Sequence, residues 1–492
     1  MPNAGERRLR RMLSAGAAKV DLPTPGAPTT LLPLPPRARA LVLSDGETRV
    51  AIVSADLLLI INGSSTGRCV DQIRASVAKQ TGIANVLIVA THDHSSLSPL
   101  NGSGDPATVG QFVNAITQAI VLANAGLAPA EVAVARGEAR EGFNRVRRVE
   151  ADGAVNYVSK LNLAGGAIES YDIPLGTADQ DSPPRVPGTE KAEAGVNFTA
   201  QPAPPAPSYC TEPNPAWAID SSAAQAAYRA RHPLDPMDDE VMIVAIRRSD
   251  SHEPIATLIN YALHGVVITT GTDRFAHGDW SGAMMSWVEG TGPFDQPVED
   301  YDYVGGVALF LQGAAGDVNP WFTGIANIDD GHCNRRGIQA AVDVGSRIGT
   351  TVVQAVRGIS DADYGSPDHI TMKSAVAPVL GGGTGACALF FGVPTVAELN
   401  AVVVVGPAAS STFALGTFPG ELFTEYGLAL TARSPVPNTM LVGYTNDYIG
   451  YLPGEDSWGS GAYATIPANY ACLAQETGTD LLRKVLDMLA PS

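Results

Sequence analysis

Residues 85–94 read NVLIVATHDH, an apolar run of strand length that ends directly in two histidines, His92 and His94. A second apolar run, RVAIVS at 49–54, precedes it, and apolar residues recur every three or four positions over 66–81 between the two runs. Strand, helix and strand in this order predict a βαβ unit with a parallel pair of strands. The stretch therefore predicts an α/β fold in which polar residues follow a buried strand.

The same pattern, an apolar strand followed by polar residues, recurs along the chain. We predict further strands at 131–135, 240–247, 255–263, 307–312, 412–418 and 440–443, and helices at 109–125, 335–357, 422–432 and 477–489. Polar candidates at or near these strand ends are His264, Asp317, Glu421, Tyr448 and Tyr451. Strand ends suit functional groups because loops carry the groups while the sheet holds them rigid. We therefore expect mixed β-sheets flanked by helices, with a metal site at the strand ends.

Composition excludes several classes of function. The chain has 492 residues, with 32 Lys+Arg against 50 Asp+Glu and a formal net charge of −18. Such an acidic surface repels phosphate backbones and anionic lipid headgroups, so nucleic acid and membrane surfaces are not expected partners. No apolar run reaches the ~18 residues of a membrane span, and no secretory apolar region follows the N-terminal arginines. A cytoplasmic protein is predicted.

The cysteines and prolines bound the organisation of the chain. Five scattered cysteines without a CxxC pair argue against a disulfide framework. Residues 1–36 are predicted to be a Pro-rich N-terminal arm, and residues 37–492 a single domain. A second Pro-rich stretch, at about 177–219, lacks periodicity. Long loops of this kind are usually functional lids or linkers, and we favour a lid because candidate site residues lie on both sides of it.

The side chains of His92 and His94 are expected to face the same side, because strand side chains alternate with a period of two. Two imidazoles facing one point suit a metal ion or a reacting carbonyl. Metallo-β-lactamase-like hydrolases need H-x-H-x-D-H. Here Ser95-Ser96-Leu97 follows His94, so the sequence does not match that class. A barrel amidohydrolase using His92 and His94 stays an alternative. It predicts eight strand–helix repeats, which we do not find, and an aspartate at a late strand end, for which Asp317 is the candidate.

Other catalytic motifs are missing or weak. No G-x-S-x-G elbow, Walker A loop or dinucleotide fingerprint is present. HGDWSG at 277–282 is predicted to be a polar, glycine-rich turn, which either is purely structural or supports the residues of a site. The histidine, glutamate and tyrosine candidates are therefore the basis for any chemistry.

Taken in order, these segments resemble the catalytic domain of the neutral/alkaline (non-lysosomal) ceramidase family. ATHDHSS at 90–96 resembles the family's T-H-T-H-S-G-P segment, and LFLQGAAGDVNP at 309–320 resembles its Q-x-x-x-G-D-V-S-P. The other matching segments are GFNRV at 142–146, YALHGVVIT at 261–269, HGDWSG at 277–282, FPGELF at 418–423, and NDYIGY at 446–451 with Tyr463 beyond it. Each motif is modest alone, but their common order is specific.

The resemblance implies a zinc-dependent hydrolase that cleaves an amide (N-acyl) bond by attack of metal-activated water. It implies zinc ligands at His92, His264, Glu421 and Tyr451. It also implies that His94 is an acid/base group beside the metal. Arg145 and Tyr463 would hold or polarise the scissile carbonyl and its oxyanion.

The sequence also departs from the family pattern. His-Asp-His replaces the usual His-Thr-His, and Asn319 stands where the family has a serine, which argues against a serine nucleophile. Only the family's catalytic domain is matched, and its C-terminal immunoglobulin-like domain is not expected. Small N-acyl compounds other than ceramide are therefore candidate substrates, as are esters and lactones. A non-catalytic binding protein on the same fold is a further alternative, disfavoured because drift would have broken part of the ligand set.

Overall fold

The computed structural model describes residues 12–24, 34–96, 99–101, 104–149, 155–157, 237–267, 277–292, 301–320, 335–379, 396–458, 464 and 473–491. The helices in this part of the chain are α1 (Cys69–Thr81), α2 (Pro106–Ala125), α3 (Asp279–Glu289), α4 (Arg335–Arg357), α5 (Thr424–Arg433) and α6 (Thr477–Leu489). The strands are β1 (Ser14–Asp21), β2 (Arg37–Ser44), β3 (Arg49–Ala55), β4 (Asn85–Ala90), β5 (Ala128–Glu138), β6 (Gly142–Asn144), β7 (Arg147–Val149), β8 (Val155–Tyr157), β9 (Glu240–Arg248), β10 (Pro254–Tyr261), β11 (Val307–Gln312), β12 (Val318–Pro320), β13 (His369–Pro378), β14 (Val396–Val405), β15 (Phe413–Thr417), β16 (Glu421–Leu422), β17 (Thr439–Val442) and β18 (Tyr451–Leu452).

The main sheet is mixed, with strand order β11-β10-β9-β5-β1-β2-β3-β4. The pairs β3–β4 and β10–β11 are parallel. The other neighbouring pairs in this sheet are antiparallel. The predicted βαβ unit with its parallel pair is thus confirmed. The barrel alternative is wrong, because this pairing differs from the all-parallel strand–helix repeats that a barrel amidohydrolase requires.

A second, four-stranded sheet with order β13-β14-β15-β17 packs against the main sheet. One face of the main sheet is covered by α1 and α2 over one half and by α3 and α4 over the other. Its other face packs on the second sheet, whose outer face is covered by α5 and α6. The result is four layers: helices, sheet, sheet, helices.

Both faces of the main sheet are apolar, because side chains alternate between the two faces along each strand and each face packs on another layer. On β9, Val241 and Ile243 face the helices, whereas Met242 and Val244 face the second sheet. A strand buried on both faces is apolar almost throughout, as the run at 85–90 is. Gly345 allows α4 to pack closely against α3, because a Cβ there would lie 2.5 Å from the carbonyl oxygen of Trp280 on α3.

Most predicted elements match the structure, and three regions need comment. The residues predicted as a turn at 277–282 instead contain the start of α3, which begins at Asp279, so that prediction is wrong. Residues Ser14–Asp21, inside the predicted arm, form β1 in the middle of the main sheet. The predicted lid at 177–219 lies outside the described residues.

Two other predictions concern membrane-spanning segments and disulfide bonds. None of the described helices is long and apolar enough to cross a membrane. Cys69 is a buried free thiol, and burial raises its pKa to about 11. The other four cysteines lie outside the described residues.

Candidate functional site

The turns that follow several strands meet at one place. The backbone N–H of His94, after β4, donates to the carbonyl of Gly265, after β10, at 2.9 Å. The N–H of Ala90, at the end of β4, donates to the carbonyl of Tyr444, after β17, at 3.1 Å. These backbone contacts hold polar side chains from distant parts of the sequence within reach of one another.

Three histidines converge at this place. Nε2 of His92 lies 2.9 Å from Nε2 of His264 and 3.2 Å from Nε2 of His94. Among the described residues these three side chains form a group that could hold a metal ion. His92 and His264 are almost fully buried.

The other ring nitrogens determine the state of two of these imidazoles. Nδ1 of His92 lies 3.0 Å from the carbonyl oxygen of Leu58, and Nδ1 of His264 lies 2.9 Å from the carbonyl oxygen of Ala315. A carbonyl only accepts, so each Nδ1 carries a proton, and Nε2 is the ring atom through which each imidazole faces the other. Two ring nitrogens at this distance need a proton or a cation between them.

The environment of His264 and of His94 disfavours a second proton on these two rings. Burial, with the charges of Arg145, His92 and His94, holds the pKa of His264 well below its ordinary value. Burial, with the neighbouring His92, also lowers the pKa of His94 well below its ordinary value, although Glu421 acts in the opposite direction. Neutral imidazole is the form that binds metals, so the lowered pKa values of His264 and His94 suit a divalent cation such as zinc.

Glu421 supplies a negative charge to the same place. Its Oε2 lies 3.4 Å from Nε2 of His92 and 3.6 Å from Nε2 of His264. Burial acts to raise the pKa of this carboxyl, but the charge and hydrogen bond of His92, the Tyr448 hydroxyl and the charge of Arg145 outweigh it, and the pKa falls to about 2. Glu421 is therefore an ionised carboxylate at neutral pH.

Two phenols contact that carboxylate. The hydroxyl of Tyr448 donates to Oε1 of Glu421 at 2.6 Å, and the hydroxyl of Tyr444 donates to Oε2 at 3.2 Å. Burial and the Glu421 charge raise the pKa of both phenols well above the ordinary value, so both stay protonated donors. Sequence reasoning did not assign Tyr444 to the site, although it lies two residues after the end of β17 and the strand-end pattern applies to it.

Arg145 and Tyr451 lie together beside this group. Nη2 of Arg145 donates to the Tyr451 hydroxyl at 3.0 Å and to the carbonyl of Gly316 at 2.9 Å. Both side chains are buried. Tyr463, the remaining predicted catalytic residue, lies outside the described residues.

Two residues of the site have left-handed backbone conformations. His92 has φ +61° and Tyr444 has φ +50°. Non-glycine residues held in sparsely populated regions cost on the order of 1–3 kcal/mol and cluster at functional sites. The backbone bonds around both residues maintain these conformations.

A chain of buried polar side chains holds the loop that carries His92 and His94. The hydroxyl of Ser95 donates to Oδ1 of Asp93 at 2.6 Å and lies 2.7 Å from Nδ1 of His277. Burial lowers the pKa of His277 to about 4. The chain links the loop after β4 to the start of α3, and the strand-end pattern did not predict its three members as a unit.

Asp317 connects two segments of the site through hydrogen bonds. Its carboxylate accepts from the N–H and hydroxyl of Thr424, at 2.8 and 2.9 Å, and from the side-chain amide of Asn144 at 2.7 Å. Its own carbonyl accepts from the N–H of Arg145 at 2.7 Å. Asp317 thus ties the turn carrying Arg145 to the start of α5, three residues after Glu421.

Comparison with known proteins shows a similarity of fold. No protein-family model and no curated protein sequence matches the chain. A solved structure of neutral ceramidase from Pseudomonas aeruginosa matches with a TM-score of 0.59 and 15% identity, covering 97% of this chain and 74% of that chain. A ceramidase structure described as complexed with C2 matches with a TM-score of 0.62 and 15% identity, covering 97% and 75%. The chain therefore has a neutral ceramidase-like fold, which confirms the predicted fold class.

Proposed function

We propose that this chain is a zinc-dependent hydrolase that cleaves the amide bond of an N-acyl compound by attack of activated water. One observation carries the proposal: the Nε2 atoms of His92 and His264 face each other at 2.9 Å, and both Nδ1 atoms are bonded to carbonyl oxygens. The ionised Glu421 lies beside them. Such a set of donor atoms suits a cation, and the fold is shared with ceramidases.

His92, His264, Glu421 and Tyr451 would hold the zinc ion. Imidazole nitrogen and carboxylate oxygen are ordinary zinc ligands, whereas a tyrosine is a rare one. When bound, the ion supplies Lewis acidity towards water and towards the acyl carbonyl. The carbonyls of Leu58 and Ala315 orient the two imidazoles for this purpose, as outer partners of metal-bound histidines commonly do.

The remaining residues handle protons and charge. His94 is neutral at its lowered pKa, so its Nε2 can accept a proton from the attacking water and then deliver it to the leaving amine. Arg145 is permanently charged and buried, and its guanidinium would stabilise the oxyanion that develops at the acyl oxygen. Tyr463 would donate a second hydrogen bond to that oxygen.

The chemistry of the site admits more than one class of substrate. The same tetrahedral intermediate serves amides, esters and lactones, so an esterase or lactonase activity is the second candidate. Ceramide is one N-acyl compound among several that the site chemistry admits. A non-catalytic binding protein on this fold would retain the metal without turnover.

Assays of the zinc-loaded full chain test the proposal. The panel comprises N-acyl amines, N-acyl amino acids, sphingoid amides and simple esters, with zinc content measured by elemental analysis. His92→Ala and Glu421→Ala should lose both zinc and turnover, whereas His252→Ala, at an exposed histidine, should retain both. Absence of zinc from the wild type, with both variants behaving like it, would falsify the proposal.

A further inference from the structure

The carboxylate of Glu421 is held at both of its oxygens. Tyr448 donates to Oε1 at 2.6 Å, and Tyr444 donates to Oε2 at 3.2 Å. Oε2 is also the oxygen that lies nearest to the imidazoles of His92 and His264. A carboxylate oxygen has two lone pairs, so Oε2 can accept from Tyr444 and still offer a lone pair towards the histidines.

Tyr444 contacts a second candidate ligand as well. Its ring stacks on the imidazole of His92 with a centroid distance of 4.2 Å and an interplanar angle of 28°. The stack fixes the plane of the imidazole, while the Nδ1–H bond to the Leu58 carbonyl fixes its rotation within that plane. One side chain therefore restrains both a nitrogen donor and an oxygen donor.

The backbone of Tyr444 joins the same two turns. Its N–H donates to the carbonyl of Gly420, the residue before Glu421, at 3.3 Å. Its carbonyl accepts from the N–H of Ala90, two residues before His92, at 3.1 Å. The left-handed conformation of Tyr444, φ +50°, is what allows the backbone to make both contacts while the ring reaches the site.

We propose that Tyr444 and Tyr448 are positioning residues for the metal centre: they hold the Glu421 carboxylate and the His92 imidazole in the arrangement that binds zinc. This inference rests on the proposed function, because it presumes that Glu421 and His92 are zinc ligands. Neither tyrosine is assigned a place in the reaction itself. Outer partners of metal ligands typically change metal affinity by about 10- to 100-fold when they are removed.

Zinc affinity of purified full-length protein tests the inference without reference to turnover. The metal is removed with a chelator, and zinc is titrated back in competition with a chromophoric chelator of known affinity. Tyr448→Phe and Tyr444→Phe each remove one hydrogen bond to Glu421 and leave a ring of nearly the same shape. Tyr444→Leu removes the hydrogen bond and the stacking on His92 together. Tyr426→Phe is the control, since this buried phenol donates to the carbonyl of Pro453 instead.

We expect Tyr448→Phe and Tyr444→Phe to weaken zinc binding by about tenfold or more, and Tyr444→Leu to weaken it further. Tyr426→Phe should bind zinc as the wild type does. A merely structural role would lower the thermal stability of these variants and leave their zinc affinity at the wild-type value.

Two results would overturn the inference in distinguishable ways. Wild-type zinc affinity in Tyr448→Phe and Tyr444→Phe, in a protein whose wild type binds zinc and hydrolyses N-acyl substrates, would overturn the inference alone. Failure of the wild type to bind zinc would overturn the proposed function and this inference with it.

Discussion

Glu421 and Tyr451 are direct partners in a short parallel pair of strands, β16 and β18, and both side chains are buried. Paired positions of neighbouring strands project to the same face, so the carboxylate and the phenol belong to one wall of the site. The Tyr451 hydroxyl nevertheless accepts a hydrogen bond from Arg145 at 3.0 Å. Tyr451 thus links the proposed metal ligands to the proposed oxyanion-stabilising arginine.

This link predicts a specific result for Tyr451→Phe. If the phenol is a zinc ligand, the variant should bind zinc at least about tenfold more weakly and lose most turnover, since a ligand contributes more than an outer partner. Chelator competition and steady-state kinetics on the same preparation measure both. A large fall in kcat with unchanged zinc affinity would instead make Tyr451 an orienting partner of Arg145 and refute its assignment as a ligand.

His94→Ala should separate proton transfer from metal binding. General acid–base catalysis contributes about 10²- to 10⁴-fold, so kcat should fall within that range while the zinc content stays at the wild-type level. His369→Ala, at a largely exposed histidine, is the matched control. Loss of zinc together with activity would show that the third imidazole of the cluster is a ligand and that its assignment as the acid/base group is wrong.

His277 predicts a pH dependence of folding. Burial lowers its pKa from 6.5 to about 4, so between these values the unfolded chain takes up a proton that the folded chain does not. Its contribution to stability is complete above pH 6.5 and is lost as the pH falls towards about 4, on the order of 3 kcal/mol in total.

The free energy of unfolding, measured by urea denaturation over this pH range, should therefore fall less steeply for His277→Asn than for the wild type. His252→Asn, at an exposed histidine, should follow the wild-type slope. Parallel curves for His277→Asn and the wild type would contradict the prediction.

Arg39 should be essential to stability. Its guanidinium lies 3.0 Å from Oδ2 of Asp56 and 3.3 Å from Oε1 of Glu289, and all three side chains are buried. Arg39→Met leaves two buried carboxylates without their shared partner, and removing one partner of a buried ion pair costs about 3–5 kcal/mol. Chemical denaturation measures this loss.

The matched control for Arg39 is Arg68→Met, which breaks an exposed pair with Asp71. Exposed pairs contribute about 0–1 kcal/mol, so this variant should unfold near the wild-type midpoint. A similar small effect for Arg39→Met would mean that Asp56 and Glu289 are neutralised by other means.

Several elements could be predicted because their signals are local. The run at 85–90 is a strand with the predicted bounds, and so is the run at 307–312. The helix at 335–357 likewise has the predicted ends. The prediction of a turn at the start of α3 is wrong, because HGDWSG contains two glycines and an aspartate, which favour turns, and only the packed structure buries Asp279.

By itself the sequence determined the strands, most helices and the polar residues at strand ends, since these depend on the periodicity of neighbouring side chains. Only the tertiary structure decided which strand ends meet. His92 and His264 lie 172 positions apart in the chain, yet their Nε2 atoms approach to 2.9 Å. His92 follows β4 and His264 follows β10, strands of the main sheet that are not neighbours, and backbone bonds between the two turns hold them together. Such long-range terms leave no local signal, which explains why Tyr444 emerged as a contact of both Glu421 and His92 only from the folded chain.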